Sequence, residues 1–313
     1  MIHKETIGED RSRPFDAAKA EPRESASADH ARSQSSFAHV DTWVFDLDNT
    51  LYPADCDLWP KIDHRITLFL ASLFGLDGIS ARALQKFYYQ RYGTTLRGLM
   101  ADHAISSVEF LAFVHDVDRS SLIPNLSLAT AITALPGRKL ILTNGSRDHA
   151  LRTAEALGLA PMFDDIFDIV AAELLPKPEI AAYERFFDRH AVDPNRAAMF
   201  EDIDRNLIIP HQRGMTTVLV VPKPGQPDHR EPFEIPATEA LPHVNFVTSD
   251  LEGFLAEICR KSKQGDLNIT CTRRPLTSPV ARTKPHGSRG WSGPCGAKTS
   301  KRSSMRLSRI EGK

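Results

Sequence analysis

The strongest constraint on the fold is a recurring pattern in which short apolar runs stop at a polar or acidic residue and a helix-length stretch follows. Five runs fit it: Thr42–Asp46, Lys139–Thr143, Phe167–Ala171, Ala197–Glu201 and Thr216–Val221. Runs of this kind, alternating with helical periodicity, predict an α/β domain with a Rossmann-like parallel sheet covered by helices. In open α/β sheets ligands bind beyond the carboxyl ends of the strands, so chemistry is expected at the residues that end these runs. The interval between the first two runs is too long for a simple crossover and reads as helix. Leu58, Ile62, Ile66, Phe69, Leu70 and Leu73 recur at three- and four-residue steps. Leu84, Phe87 and Tyr88 follow, then Leu96 and Leu99, then Val108, Leu111 and Val114. These positions predict an α-helical cap over residues 54–122, inserted between core segments 39–53 and 123–259. Such a cap could close over a substrate and exclude water, or simply elaborate the structure.

The flanks differ from this body. Residues 1–38 are rich in Ser, Ala and alternating charge, which predicts a disordered arm. Residues 260–313 carry fourteen Lys or Arg against Asp266 and Glu311, a net of +12, which leaves −13 for the rest of a chain whose formal total is −1. That predicts a basic disordered tail beside an acidic body, and an acidic body does not suggest a nucleic-acid binder. Contact with nucleic acid or an anionic membrane is expected, if at all, only through the tail; a solvated tail explains the composition as well. The four cysteines form no C-x-x-C pair and accompany no His cluster, so free thiols are expected rather than zinc. No apolar stretch approaches the roughly 18 residues of a membrane span, and the first residues mix Lys4, Glu5, Glu9, Asp10 and Arg11 without an apolar core. The expected setting is cytoplasmic.

Four strand ends carry the candidate chemistry. After Trp43-Val-Phe come Asp46 and Asp48, two carboxylates that can face one pocket once the strand ends. Their mutual repulsion would be relieved by a divalent cation such as Mg²⁺. A capping or turn role fits the doublet equally well when it is taken alone. Thr143-Asn144-Gly145 follows an apolar strand and offers a hydroxyl and backbone N–H groups to phosphate oxygens, although Asn-Gly is also a common turn. Lys177 lies between Pro176 and Pro178, which suits a fixed point charge but also describes an ordinary solvated lysine. Asp202, with Glu201 and Asn206 close by, ends the fourth run and is the natural distal metal ligand. In the cap, Tyr92 could stack on a substrate ring or serve as a buried aromatic. The His115-Asp116 doublet hints at a metal-dependent hydrolase of another type, but no companion His or Asp supports it.

In this order the four elements resemble the haloacid dehalogenase superfamily of aspartate-nucleophile hydrolases. FDLDNTLYP (Phe45–Pro53), the cap segment Tyr92–Leu96 and ILTNG (Ile141–Gly145) are more closely similar to its pyrimidine 5′-nucleotidases. The resemblance implies that Asp46 attacks phosphorus and forms an aspartyl-phosphate, while Asp48 protonates the leaving group and then deprotonates water. It implies Mg²⁺ held by Asp46, the Asp48 backbone carbonyl and Asp202. Thr143 and the Asn144–Gly145 turn would bind phosphate, and Lys177 would offset negative charge. Glu201 stands where the family often has Gly or Asp, and its role is left open. The expected substrate is a small phosphorylated metabolite, a pyrimidine nucleoside monophosphate by the closer resemblance, with a sugar phosphate as the alternative. Haloacid dehalogenation fits less well, because expelling a halide needs no acid in the place of Asp48.

Overall fold

The computed structural model describes residues 37–235 and 241–264. Its described residues include one parallel sheet in the order β3-β2-β1-β4-β5-β6. The strands are β1 (Thr42–Phe45), β2 (Arg138–Leu142), β3 (Asp165–Phe167), β4 (Ala197–Glu201), β5 (Thr216–Val220) and β6 (Phe246–Thr248). β1 is central, with Phe45 level with Ile141 of β2 and with Phe200 of β4. Successive side chains alternate across the pleat. Trp43, Phe45, Ile141, Phe200 and Val218 bury on one face, and Val44, Leu140, Leu142, Met199 and Leu219 on the other. Both faces are covered, which is why the runs read as continuously apolar.

Four helices form the cap that follows β1: α1 (Leu58–Phe74), α2 (Gly78–Tyr92), α3 (Thr95–His103) and α4 (Ser107–Val114). They are followed in the chain by α5 (Leu126–Ala134), α6 (Arg147–Ala156), α7 (Ile180–His190), α8 (Ile208–Gln212) and α9 (Leu251–Gln264). On the first face α5, α6 and α9 contribute Leu128, Ile132, Ala150, Ala154, Leu255 and Ile258. On the second, α7 and α8 contribute Tyr183, Phe186 and Ile209. α1 to α4 bury a cluster of their own, Leu70, Ala81, Tyr88, Leu96, Leu99, Phe110, Leu111 and Val114, which meets Ile169 of the core. Their starts are written locally: Asp77 accepts the N–H groups of Ile79 and Ser80, Thr94 that of Arg97, and Ser106 that of Glu109.

Several boundaries differ from the sequence expectation. β3 ends at Phe167 rather than beginning there, because the Asp168 carboxylate takes the N–H groups of Arg147 (2.8 Å) and Ala171 (2.9 Å) and turns the chain. β6 was not anticipated, being only three residues long. Leu73, Phe87 and Val108 keep helical spacing but lie exposed, outside the buried stripe. The core begins at Phe37, whose ring stacks on Trp43 at 5.8 Å, so the predicted arm boundary at residue 38 falls slightly late. The predicted tail boundary at residue 260 falls inside α9, which runs on to Gln264. There Lys261 pairs with Glu257 at 2.8 Å, and basic residues near a helix C-terminus are favourable. The rest of the arm and tail lies outside the described residues. Among the described residues no single helix is long and apolar enough to cross a membrane.

Gly137 precedes β2 with φ +75, and a Cβ there would stand 2.0 Å from the Asp41 carbonyl oxygen, which accepts the Arg138 N–H. Gly75, at the end of α1, has φ +63 but open space around it. Gly137→Ala is expected to lower the unfolding free energy by more than about 2 kcal/mol, and Gly75→Ala by about 1 kcal/mol, measured by urea denaturation. Equal costs would mean that backbone strain, not the clash, dominates at Gly137.

Candidate active site

The strand order reverses between β1 and β4, and the crevice at that reversal is where an open α/β sheet binds ligands. Asp46 and Asp48 follow β1, Thr143 follows β2, and Glu201 and Asp202 stand at the end of β4. Together with Asn144, Gly145 and Lys177 they line one cavity of about 160 Å³ roofed by the cap. The cap supplies a largely apolar wall, including Trp59, Ile62, Ile66, Leu96, Phe110 and Val114.

Lys177 is buried and all three of its N–H groups are used. Nζ donates to Asp46 Oδ1 at 2.6 Å, to Glu201 Oε1 at 2.8 Å and to the Leu142 carbonyl at 2.9 Å. Burial works against its charge, and the attraction of Asp46 and Glu201 more than offsets that, so the ammonium stays protonated. Glu201, whose role the sequence left open, is a counter-charge. It also accepts from Asn206 Nδ2 (2.7 Å) and the Ile203 N–H (2.7 Å). The backbone of Lys177 is itself gripped by the Asn144 side chain, whose Oδ1 accepts the Lys177 N–H at 2.8 Å.

Asp48 is held differently. Its Oδ1 accepts from the Tyr52 hydroxyl at 2.5 Å and lies 2.9 Å from His149 Nε2. Burial alone would raise this carboxyl, but the hydrogen bonds it accepts from His149 and Tyr52 hold it below the usual carboxylate range. His149 is fully buried on α6 and stacks on His115 with ring centroids 4.4 Å apart. Burial pushes His115 down to about 3, so it is neutral. The other half of the His115-Asp116 doublet points outward and pairs with Arg65 at 3.4 Å.

Of the expected substrate contacts, Gly145 lines the cavity and Tyr92 does not. The Gly145 N–H donates to Thr143 Oγ1 at 2.9 Å, and a Cβ there would come within 3.0 Å of His149 Cδ2. The absence of a side chain there gives His149 room beside the cavity. Tyr92 does not line the cavity: its hydroxyl donates to Asp102 at 2.8 Å on the outer side of the cap. Tyr89, one turn earlier, faces inward. Its hydroxyl donates to Glu234 and accepts from Arg205 (3.0 Å), and Arg205 pairs with Glu234 at 2.9 Å. Lys86 of the same helix pairs with Glu231. The segment after β5 thus straps α2 to the loop after β4, a contact with no signal in the sequence except the Glu231-Pro-Phe-Glu234 capping box.

The carboxylates of Asp46, Glu201 and Asp202 bring ligand oxygens within 4.8 Å of one another, all buried, against the one ammonium of Lys177. Burial pushes Asp46 up to about 7 against the pull of Lys177. Burial and the repulsion of Glu201 and Asp46 drive Asp202 well above the carboxylate range. This excess of negative charge and the all-oxygen donor set fit a hard divalent cation such as Mg²⁺, bound through Asp46 and Asp202 while Lys177 occupies Glu201. MgCl₂ should raise the thermal midpoint of the wild type, and Asp202→Asn should remove most of that response. An unchanged response in Asp202→Asn, followed by scanning fluorimetry, would move the cation elsewhere.

The family model for haloacid dehalogenase-like hydrolases matches residues 40–208, over half of the chain. Phosphate metabolism protein 8 of Saccharomyces cerevisiae is 30% identical over 134 residues, covering 40% of this chain and 42% of that protein. Enolase-phosphatase E1 of Frankia alni is 39% identical over 71 residues, covering 23% and 29%. The chain thus spans less than half the length of these curated relatives. Among solved structures, an HAD phosphatase from Thermococcus onnurineus aligns with TM-score 0.46 at 15% identity over 74% of this chain and 100% of that one. An L-2-haloacid dehalogenase from Xanthobacter autotrophicus with chloropropionic acid covalently bound aligns with TM-score 0.43 at 13% identity over 70% and 98%. By its matched family model and its strand-end carboxylates, the chain belongs to the haloacid dehalogenase-like hydrolases.

Proposed function

We propose that this hydrolase is a Mg²⁺-dependent phosphomonoesterase that works through an aspartyl-phosphate. The observation that carries the reading is the pairing of a lysine-braced Asp46 with a second carboxylate, Asp48, held separately by Tyr52 and His149. A halide departs without a proton, whereas an alkoxide needs one, so the care with which Asp48 is positioned favours a phosphate ester. The names of the two curated relatives, one of phosphate metabolism and one a phosphatase, point the same way.

In the first step an Asp46 oxygen attacks phosphorus, the ester P–O bond breaks, and Asp48, which takes up a proton from solvent as the anionic phosphate binds beside it and raises its carboxyl, passes that proton to the departing alkoxide. In the second, Asp48 takes a proton from water, the water oxygen attacks phosphorus, and the bond to Asp46 breaks to release inorganic phosphate. Lys177 keeps Asp46 oriented and offsets its charge as the anionic phosphoryl group approaches. Thr143 and the Asn144 backbone bind phosphate oxygens. Mg²⁺ would be held by Asp46, Asp202 and the Asp48 carbonyl and, when bound, would supply the charge neutralisation that lets an anionic nucleophile meet an anionic substrate.

The leaving group lies under the cap. Apolar walls from Trp59, Ile62, Ile66, Leu96, Phe110 and Val114, with polar groups at Thr94, Thr95, Lys86 and Arg230 on the lining, suit a flat ring with hydrogen-bonding edges, which supports a pyrimidine nucleoside 5′-monophosphate. A sugar phosphate would leave much of that apolar wall without a partner.

Asp46→Asn should fold normally and lose kcat by about three orders of magnitude or more. Substantial residual turnover would remove Asp46 as nucleophile. Steady-state assays at fixed Mg²⁺ should give higher kcat/KM for UMP and CMP than for AMP, GMP and hexose phosphates, with activity lost on chelation. A preference for purines or sugars would overturn the nucleotide assignment and leave the phosphatase reading in place.

A further inference from the structure

His149 lies in the first turn of α6, directly after the Thr143-Asn144-Gly145 turn, and meets the carboxylate that handles the proton. Its other ring nitrogen, Nδ1, lies 2.8 Å from Arg119 Nη2. A guanidinium only donates, so Nδ1 is the acceptor and the ring proton sits on Nε2, which donates to Asp48 Oδ1. Arg119 is fixed in turn by Thr153 Oγ1 (3.2 Å) and by the carbonyls of Val117 (3.0 Å) and His115 (3.3 Å). The ring face is pressed by His115.

We infer that His149 is a positioning residue for Asp48: with its tautomer set by Arg119, it joins Tyr52 in occupying Oδ1 and reserves Oδ2 for proton exchange with the leaving group and water. Oδ2 carries neither of those bonds and faces Gly145, at 3.8 Å from where a Cβ would stand. A carboxylate free to rotate would present either oxygen at varying distance, and small displacements of a reacting group are costly. Arg119 and His115 lie on the segment leaving α4, so the ring is oriented from the cap side while its backbone belongs to the core. The inference rests on the phosphomonoesterase reading above.

The test compares wild type, His149→Met, His149→Gln and Arg119→Met on p-nitrophenyl phosphate and on a primary alkyl phosphate, with folding checked by circular dichroism. His149→Met should lower kcat on the alkyl ester about tenfold more than on the aryl ester, since only the former depends heavily on protonation. His149→Gln, which returns an N–H near the place of Nε2, should recover much of that difference. Arg119→Met should show the same selectivity more weakly. Equal losses on both esters would reduce His149 to a packing role and overturn the inference. If His149→Met does not fold, Arg119→Met decides, because Arg119 is only partly buried. Histidine-selective ¹⁵N NMR provides a readout independent of turnover, with the His149 signal identified by its loss in His149→Gln. A neutral ring protonated at Nε2 is expected, and an Nδ1-protonated or doubly protonated ring would overturn the inference. A wild type inactive on both esters would count against the phosphomonoesterase reading itself, and the NMR result would then decide the inference alone.

Discussion

One ammonium group holds the site together. Lys177 reaches from the loop before α7 into the centre of the sheet, where its three hydrogen bonds join the residue after β1, the last residue of β2 and the last residue of β4. Without it, Asp46 and Glu201 would meet in a buried space with nothing between them. Removing one partner of a buried charge cluster costs far more than the cluster's net contribution to folding. The arrangement is therefore better understood as a geometric constraint than as a source of stability. It fixes where Asp46 points, and the Asn144 side chain fixes where Lys177 begins.

Two of the joints between the cap and this centre differ in chemistry. At one, the stacked imidazoles of His115 and His149 and the guanidinium of Arg119 form a tight polar joint beside Asp48. At the other, Tyr89 and Lys86 of α2 meet Glu234, Arg205 and Glu231. Arg205 lies 5.2 Å over the Tyr89 ring and also follows closely after Asp202 in the chain. Both joints touch loops that carry carboxylates of the site, so the cap's resting position and the site's geometry are not independent.

The sheet, the cap and the strand-end residues were legible because each rests on short-range pattern. Apolar runs stop where the backbone leaves the sheet, and that is where Asp46, Thr143 and Glu201-Asp202 lie. What escaped has a common cause in contacts distant in sequence. Nothing near His149 announces that it meets Asp48, 101 positions away, and Glu201 looks like a misplaced acid until Lys177 is seen against it. Tyr92 adjoins a recognisable segment but packs its ring against the cap's own apolar cluster, while Tyr89, one turn earlier, lines the cavity. The run from Phe167 to Ala171 is apolar apart from Asp168 and so reads as strand, but that one carboxylate turns the backbone and ends β3 at Phe167.

The position of the cap in the chain also bears on how the molecule assembles. Thr42 pairs with Arg138, and the residues between them include all four cap helices. Closing a loop of roughly ninety residues costs configurational entropy, and topologies dominated by such distant pairings fold slowly. The cap, however, buries an apolar cluster drawn almost entirely from its own helices and writes its helix starts with its own side chains. Condensed early, it would shorten the effective distance between β1 and β2. The insertion that roofs the cavity would then also serve as a local folding unit that brings the central strands of the sheet within reach of each other.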